Sequence, residues 1–493
     1  MSLQKFFRTK PLSAYEEDIR NNQLRRVLGK WELTAIGVGA VIGGGIFVLT
    51  GVAANIHAGP ALALSFVLAG VGCLFAALCY AEFAGILPVS GSAYAYSYGT
   101  IGEFFAWFIG WNLILEYMMG ATTVAVSWSK YFVKLLHLLG IDNIPLWLLN
   151  DPVSAKEEAL KAGLEPPAFA INLPAGLIVW GVTYILVRGI RESAKANNII
   201  VAIKVAAVLF VIIAGGFFVD SSNWHPFIPD QITNASGEKQ YGLPGVITAA
   251  GIVFFAFIGF DAVSTQSQEA KRPTRDIPFA IITSLIICTT LYILVSLVLT
   301  GMVRYTDIEL GAPVASAFSN VGLRWATWLI TVAAVIGLFS VMLVMMLSQT
   351  RIFLNMAKDG LLPSRPFATI HPRFQTPWKS TIVVGGIASL IAAVTPIEKA
   401  TKMTSIGTLF AFAMICGAVW LLRKRRPDLQ RPYKVKALPV VATLGIGFNL
   451  FLMLSLDKAT WLRFLIWSVL GIIVYFAYSA RHSKLANTPP SKT

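Results

Sequence analysis

The stretch Gly37-Val-Gly-Ala-Val-Ile-Gly-Gly-Gly-Ile-Phe47 places five glycines within nine positions, in the middle of an apolar run from about Trp31 to Ile56. A run of that length can cross a bilayer, which takes roughly 20 apolar residues. Glycine lacks Cβ and weakens a helix interior, so a helix is least stable where Gly43, Gly44 and Gly45 follow one another. Backbone freed at membrane depth persists only where protein or a water-filled cavity satisfies its polar groups. The spacing leaves two readings open. Gly39-x-x-x-Gly43 is a face for close helix packing, or the helix is discontinuous and its free amides and carbonyls meet a polar ligand. A dinucleotide fingerprint is excluded, because the spacing differs and no strand precedes it.

About eleven further apolar runs follow. With 56% hydrophobic and only 13% charged residues, the chain reads as a membrane protein. The net charge of +15 raises nucleic acid as a partner, but its distribution excludes that. Lys5, Arg8, Lys10, Arg20, Arg25, Arg26 and Lys30 precede the first run, and Arg188, Arg191 and Lys195 follow the fourth. Lys271, Arg272 and Arg275 follow the sixth, and Arg423-Lys-Arg-Arg426 the tenth. The intervening loops carry acids instead, among them Asp142, Asp151 and Glu157, then Asp220, Asp230 and Glu238, then Asp307 and Glu309. Basic residues on alternate loops place both termini of a multi-pass membrane protein in the cytoplasm, with membrane lipid as the partner of its charge, and the plasma (inner) membrane is the expected location. Cys73, Cys79, Cys288 and Cys416 lie inside apolar runs. Their spacing suggests neither a metal site nor a disulfide framework, and no cofactor is expected. Glu82, close to the end of the second run, reads as a solvated or interfacial carboxylate.

The sixth run, about Leu243 to Gln268, repeats the oddity of the first: Phe254-Phe-Ala-Phe-Ile-Gly-Phe-Asp261 puts Gly259 mid-run, with Asp261 just after it. A first and a sixth span with matching breaks are what two five-span units of opposite orientation produce. The expected fold is all-α and membrane-integral, with about 12 transmembrane helices in a 5+5 inverted repeat plus two C-terminal helices. The expected divisions are an N-terminal tail over residues 1–30, repeats over 31–219 and 243–425, helices eleven and twelve over 437–480, and a tail over 481–493.

Four motifs in this order, Gly39-Ala-Val-Ile-Gly-Gly-Gly-Ile-Phe47, Pro88-Val-Ser-Gly-Ser-Ala-Tyr94, Phe257-Ile-Gly-Phe-Asp261 and Asp359-Gly-Leu-Leu-Pro363, resemble the amino acid–polyamine–organocation (APC) superfamily. The chain is most similar to its bacterial cationic amino acid transporter branch. Two departures stand out. Gly44 occupies a place where many members carry Ser or Thr, and Arg272 precedes Pro273 where Asn is common.

The resemblance implies a permease for L-amino acids, small neutral or cationic, working by alternating access with a proton as coupling ion. An obligate exchanger is the rival within the fold. A channel or a membrane-embedded enzyme is the rival outside it, and no cluster of nucleophile, base or metal ligands supports an enzyme. A helix N-terminus offers amides to a carboxylate and a helix C-terminus offers carbonyls to an ammonium. On the family pattern the substrate carboxylate falls to the amides of Gly43, Gly44 and Gly45, and its ammonium to the carbonyls of Val41, Phe254, Phe255 and Ile258. The resemblance implies that the Phe255 ring caps the substrate; Met345 is placed to line its side-chain pocket, with a lipid- or core-facing methionine as the alternative, while Phe254 and Phe257 pack. Lys204 lies mid-span, where a lysine costs about 2.5–3.5 kcal/mol to insert and usually faces the protein interior. It resembles the span-five lysine that some members place where others bind sodium between spans one and eight, which implies proton coupling. Glu116 is a candidate for the substrate side chain, and Asp261 for structural support of the broken sixth span. For each of these carboxylates a purely structural hydrogen-bonding role is the alternative.

Overall fold

The computed structural model describes residues 8–11, 28–86, 92–189, 194–233, 239–266 and 269–487. Lys5, Arg20, Arg25, Arg26, Pro88 to Gly91, Arg191 and Glu238 lie outside them.

Apolar runs this long fold as helices because a bilayer offers no partner for free backbone groups. Seven helices among the described residues are long and apolar enough to cross a membrane, and three shorter apolar helices accompany them. One of the seven, Gly45–Ile86, is 42 residues, about 63 Å of helix at 1.5 Å per residue, against a hydrocarbon core of about 30 Å. It holds two crossings, divided at Gly59, whose φ of 61° and following Pro60 reverse the chain. Counting that division, and the 36-residue helix Glu103–Leu138 that carries more polar side chains, twelve spans result.

Span one is Lys30–Val41 continued by Gly45–Leu49, Thr50–Ala53 and Ala54–Ala58, and span two is Leu62–Ile86. A short helix, Ser92–Tyr98, precedes span three, Glu103–Leu138. Spans four and five are Leu173–Arg188 and Ala194–Gly216. Span six is Gly242–Val253 with the tighter turns Phe254–Phe257 and Phe260–Gln266, and span seven is Pro273–Met302. Spans eight to eleven are Arg324–Lys358, Trp378–Val394, Ile397–Arg425 and Leu438–Leu454, and span twelve begins at Lys458–Val474.

Local chemistry starts these helices where it should. Asn172 accepts the Ala175 amide at 3.1 Å and so caps span four, and Pro174 follows in its first turn. Asp457 caps span twelve by accepting the Thr460 amide at 2.6 Å. Such caps satisfy amides that have no partner inside the helix.

Spans one, two, six and seven pack on one another, and spans three, four, eight and nine form a second group. Span five bridges spans one, seven and eight, and span ten joins spans two, three and eleven. At the basic end, the Leu28 amide donates to the Glu269 carbonyl at 3.0 Å and the Lys271 amide to the Leu28 carbonyl at 2.8 Å. The start of span one is thereby tied to the segment that leaves span six.

One expectation is corrected here. Glu82 is not an interfacial carboxylate but fully buried. It pairs with Arg423, reaches Arg431 at 3.5 Å and accepts the Val435 amide at 2.8 Å. A charge can leave water only when it is paired and hydrogen-bonded, and Arg423 in the last turn of span ten, with Arg431 and the Val435 amide beyond it, supplies both conditions.

Candidate functional site

Both suspected breaks are present. Span one stops at Val41, Ile42 is extended with ψ 102°, and helix resumes beyond Gly43 and Gly44. Span six tightens at Phe254, becomes extended at Ile258 with ψ 133°, and turns at Gly259 with φ 119°. That φ favours glycine, and a Cβ there would also lie 2.9 Å from the Ala40 carbonyl group. A Cβ on Gly45 would fall on Ala256. The two breaks therefore meet backbone to backbone, and the glycines permit it.

A helix end leaves carbonyls unpaired, and the protein meets some of them with side chains. The Tyr292 hydroxyl of span seven sits between the two breaks, 2.8 Å from the Val41 carbonyl oxygen and 2.9 Å from that of Ala256. The Lys204 ammonium donates to the Gly39 carbonyl at 2.8 Å. Lys204 is buried and its stem packs against Gly337 of span eight, so it lies between spans one and eight. Tyr292 is the residue that sequence reasoning missed, since a tyrosine in an apolar run carries no signal of its own.

The remaining candidates fall around these breaks. Gly43 faces Val341 of span eight. Gly44 faces Ser127 of span three, whose hydroxyl oxygen occupies the space, 2.8 Å from where a Gly44 Cβ would be. The Phe255 carbonyl accepts the Ile258 amide at 3.1 Å. The Phe254 ring packs edge-on against Phe412, and Phe257 against Phe66 and Tyr292. Among the described residues no aromatic ring packs on Phe255, which is nonetheless buried. Met345 is buried against Gly120 of span three and beside Thr404 of span ten, facing neither lipid nor water.

A second polar group lies between spans three, six, eight and ten. Asp261 accepts the Tyr117 hydroxyl at 3.0 Å through one oxygen. Its other oxygen and both oxygens of Glu116 have no hydrogen-bond partner among the described residues. Glu116 lies beside Gly407, and its charge reaches Asp261. Gln349, one turn beyond Met345, donates to the Ile114 carbonyl at 3.1 Å and leaves its own oxygen unpartnered. Four buried side-chain oxygens, of Asp261, Glu116 and Gln349, are thus gathered between these spans.

Two interrupted spans in contact, each leaving backbone polar groups inside an almost wholly helical membrane protein, are the arrangement of a membrane transporter. Comparison with known proteins makes the class specific. Residues 28–480 match the family described as Amino acid permease, and the chain belongs to that family, within the APC superfamily. It is 44% identical to the branched-chain amino acid permease BcaP of Bacillus subtilis, over 94% of this chain and 95% of that one. It is 43% identical to the methylthioribose transporter of Bacillus subtilis, over 98% and 100%. It is 38% identical to the vacuolar cationic amino acid transporter 4 of Arabidopsis thaliana, over 83% and 65%.

Proposed function

We propose that the chain is a secondary active permease of the plasma membrane, with both termini cytoplasmic, that carries L-amino acids by alternating access in symport with protons. The observation that carries this reading is the meeting of the two breaks, with Tyr292 between them and Lys204 beneath the first. The amides of Gly43, Gly44 and Gly45 open the second half of span one and suit a carboxylate. The carbonyls that close the first halves of spans one and six suit an ammonium. Of these, Val41 keeps one lone pair beyond its contact with Tyr292, and Phe254, Phe255 and Ile258 complete the set.

The uncharged Met345 and the relative named for branched-chain amino acids favour a neutral aliphatic side chain. Glu116 is the group that would meet a cationic one. Lys204 supplies a positive charge next to the span-one break and a proton that can leave it. Asp261 steadies the second half of span six through Tyr117. The alternation of basic and acidic loops supports the orientation, and the two five-span units would be the moving parts.

Uptake of labelled leucine into proteoliposomes without internal substrate, with each of the other L-amino acids as competitor at two external pH values, tests the reading. Competition by neutral aliphatic amino acids and faster uptake at the lower external pH are expected. Uptake that requires a preloaded amino acid would establish exchange instead.

A further inference from the structure

At the basic face, away from the breaks, a cavity of about 790 Å³ opens between the ends of spans four, eight and nine and the connector before span nine. Three arginines from three separate segments line it: Arg188, Arg351 and Arg373. Among the described residues none of the three is in an ion pair. Glu269 is the carboxylate whose charge reaches Arg351, and it stays beyond pairing distance. Two of the guanidinium groups are set over aromatic rings, Arg188 at 4.8 Å from the centre of Tyr184 and Arg373 at 5.7 Å from that of Phe374. Pro377 and Thr381 bring the first turn of span nine to the same cavity, the helix end that favours negative charge.

Aliphatic side chains share the cavity with the arginines. Leu347 and Leu354 lie on the same face of span eight as Arg351, and Ile370, 38% exposed, comes from the connector. Unpaired guanidinium groups beside aliphatic side chains match a ligand that is anionic at one end and hydrocarbon at the other. The volume lies within the range of small-molecule sites, and basic pockets between helices at a basic face suit phosphorylated headgroups.

We propose that this cavity holds the phosphate of an anionic membrane lipid, with Arg188, Arg351 and Arg373 on the phosphate oxygens and the first acyl carbons against Leu347, Leu354 and Ile370. The guanidinium groups would also accept free phosphate, and the aliphatic side chains among them favour the lipid.

The test uses the full chain, purified in detergent and delipidated. Native mass spectrometry and thermal unfolding are read with dioleoyl phosphatidylglycerol, dioleoyl phosphatidylcholine or inorganic phosphate added. Phosphatidylglycerol is expected to bind about tenfold or more tightly than phosphatidylcholine, as charge-assisted hydrogen bonds require, and to raise the unfolding midpoint. The combined R188Q, R351Q and R373Q variant is expected to lose that preference. Ile370→Trp, which fills the apolar side and leaves every charge in place, is expected to weaken phosphatidylglycerol binding, and it decides the matter if the triple variant does not fold. Equal binding of the two lipids, retention of phosphatidylglycerol by either variant at the wild-type level, or an equal midpoint shift with inorganic phosphate alone would overturn the proposal. None of these readings depends on transport, so they stand apart from the proposed coupling.

Discussion

Gly45 of span one and Ala256 of span six touch backbone to backbone, so that a Cβ on Gly45 would lie far inside van der Waals contact of the Ala256 Cβ and Cα. Gly44, one residue earlier, has only the end of the Ser127 side chain in the same position. Main chain in a packed interior cannot yield as a hydroxyl can. Gly45→Ala is therefore expected to lower stability by about 1–3 kcal/mol through overpacking and to abolish uptake, while Gly44→Ala is mild. Unfolding midpoints and initial uptake rates of the two variants, side by side, check this. Equal effects would mean that the two breaks do not press on each other.

Among the described residues, the Tyr292 hydroxyl is the one side-chain group hydrogen-bonded to both breaks. Tyr292→Phe keeps the ring against Phe66 and Phe257 and removes only the donor. The Val41 and Ala256 carbonyls then lose their partner, at an expected cost of about 1–3 kcal/mol, and apparent substrate affinity should fall with it. Thermal unfolding with and without substrate measures both.

Glu82 and Arg423 stand 341 positions apart in the chain and pair through two guanidinium nitrogens, one of them at 3.1 Å. Removing Arg423 leaves the buried Glu82 charge with Arg431 at 3.5 Å alone, at a cost of up to about 3–5 kcal/mol, and removing Glu82 leaves the half-buried Arg423 without its carboxylate. Glu82→Ala and Arg423→Ala should each destabilise strongly, and the double variant should lose clearly less than the two combined. A double-mutant cycle on unfolding midpoints decides it, and additive losses would show that the pair contributes nothing.

These cases mark what could be read from the residues and what could not. The break in span one was legible because three successive glycines undermine a helix whatever packs around it. The break in span six was legible because Gly259 and Asp261 fall at the matching place. Lys204 was legible as an interior residue because an apolar run gives a lysine no cheap alternative. Tyr292 was not, because its importance comes from two carbonyls 251 and 36 positions away. Glu82 was misread because closeness to a span end suggests water, and nothing local announces that Arg423 and Arg431 fold back over it. The same limit holds for Ser127, whose place beside Gly44 is a matter of packing between spans one and three.

At the opposite face, Lys402 lies between Glu398 at 2.7 Å and Asp457 at 3.0 Å. Burial raises the Asp457 carboxyl, but the Lys402 ammonium and the Thr460 amide outweigh that and hold it below the usual carboxylate range. A depressed carboxylate contributes stability above its unfolded pKa of about 3.9, and the contribution is lost as pH falls through the folded value. Asp457→Asn keeps a cap for span twelve and loses the ion pair. Its deficit against the wild type should be constant near neutrality and shrink as the pH is lowered through the carboxylate range, as unfolding midpoints across pH would show. A deficit independent of pH would assign the loss to packing.

Lys204 donating to Gly39 at 2.8 Å is the contact on which the proposed coupling turns, and vesicle uptake reads it most directly. Wild type and Lys204→Ala are reconstituted into proteoliposomes without internal substrate, and leucine uptake is driven by an inward proton gradient alone, with leucine binding in detergent as the control for folding. Concentrative uptake by the wild type, and a variant that still binds leucine but no longer responds to the gradient, is the predicted result. A variant that responds to the gradient as the wild type does would remove Lys204 from the coupling and contradict the mechanism proposed for this permease.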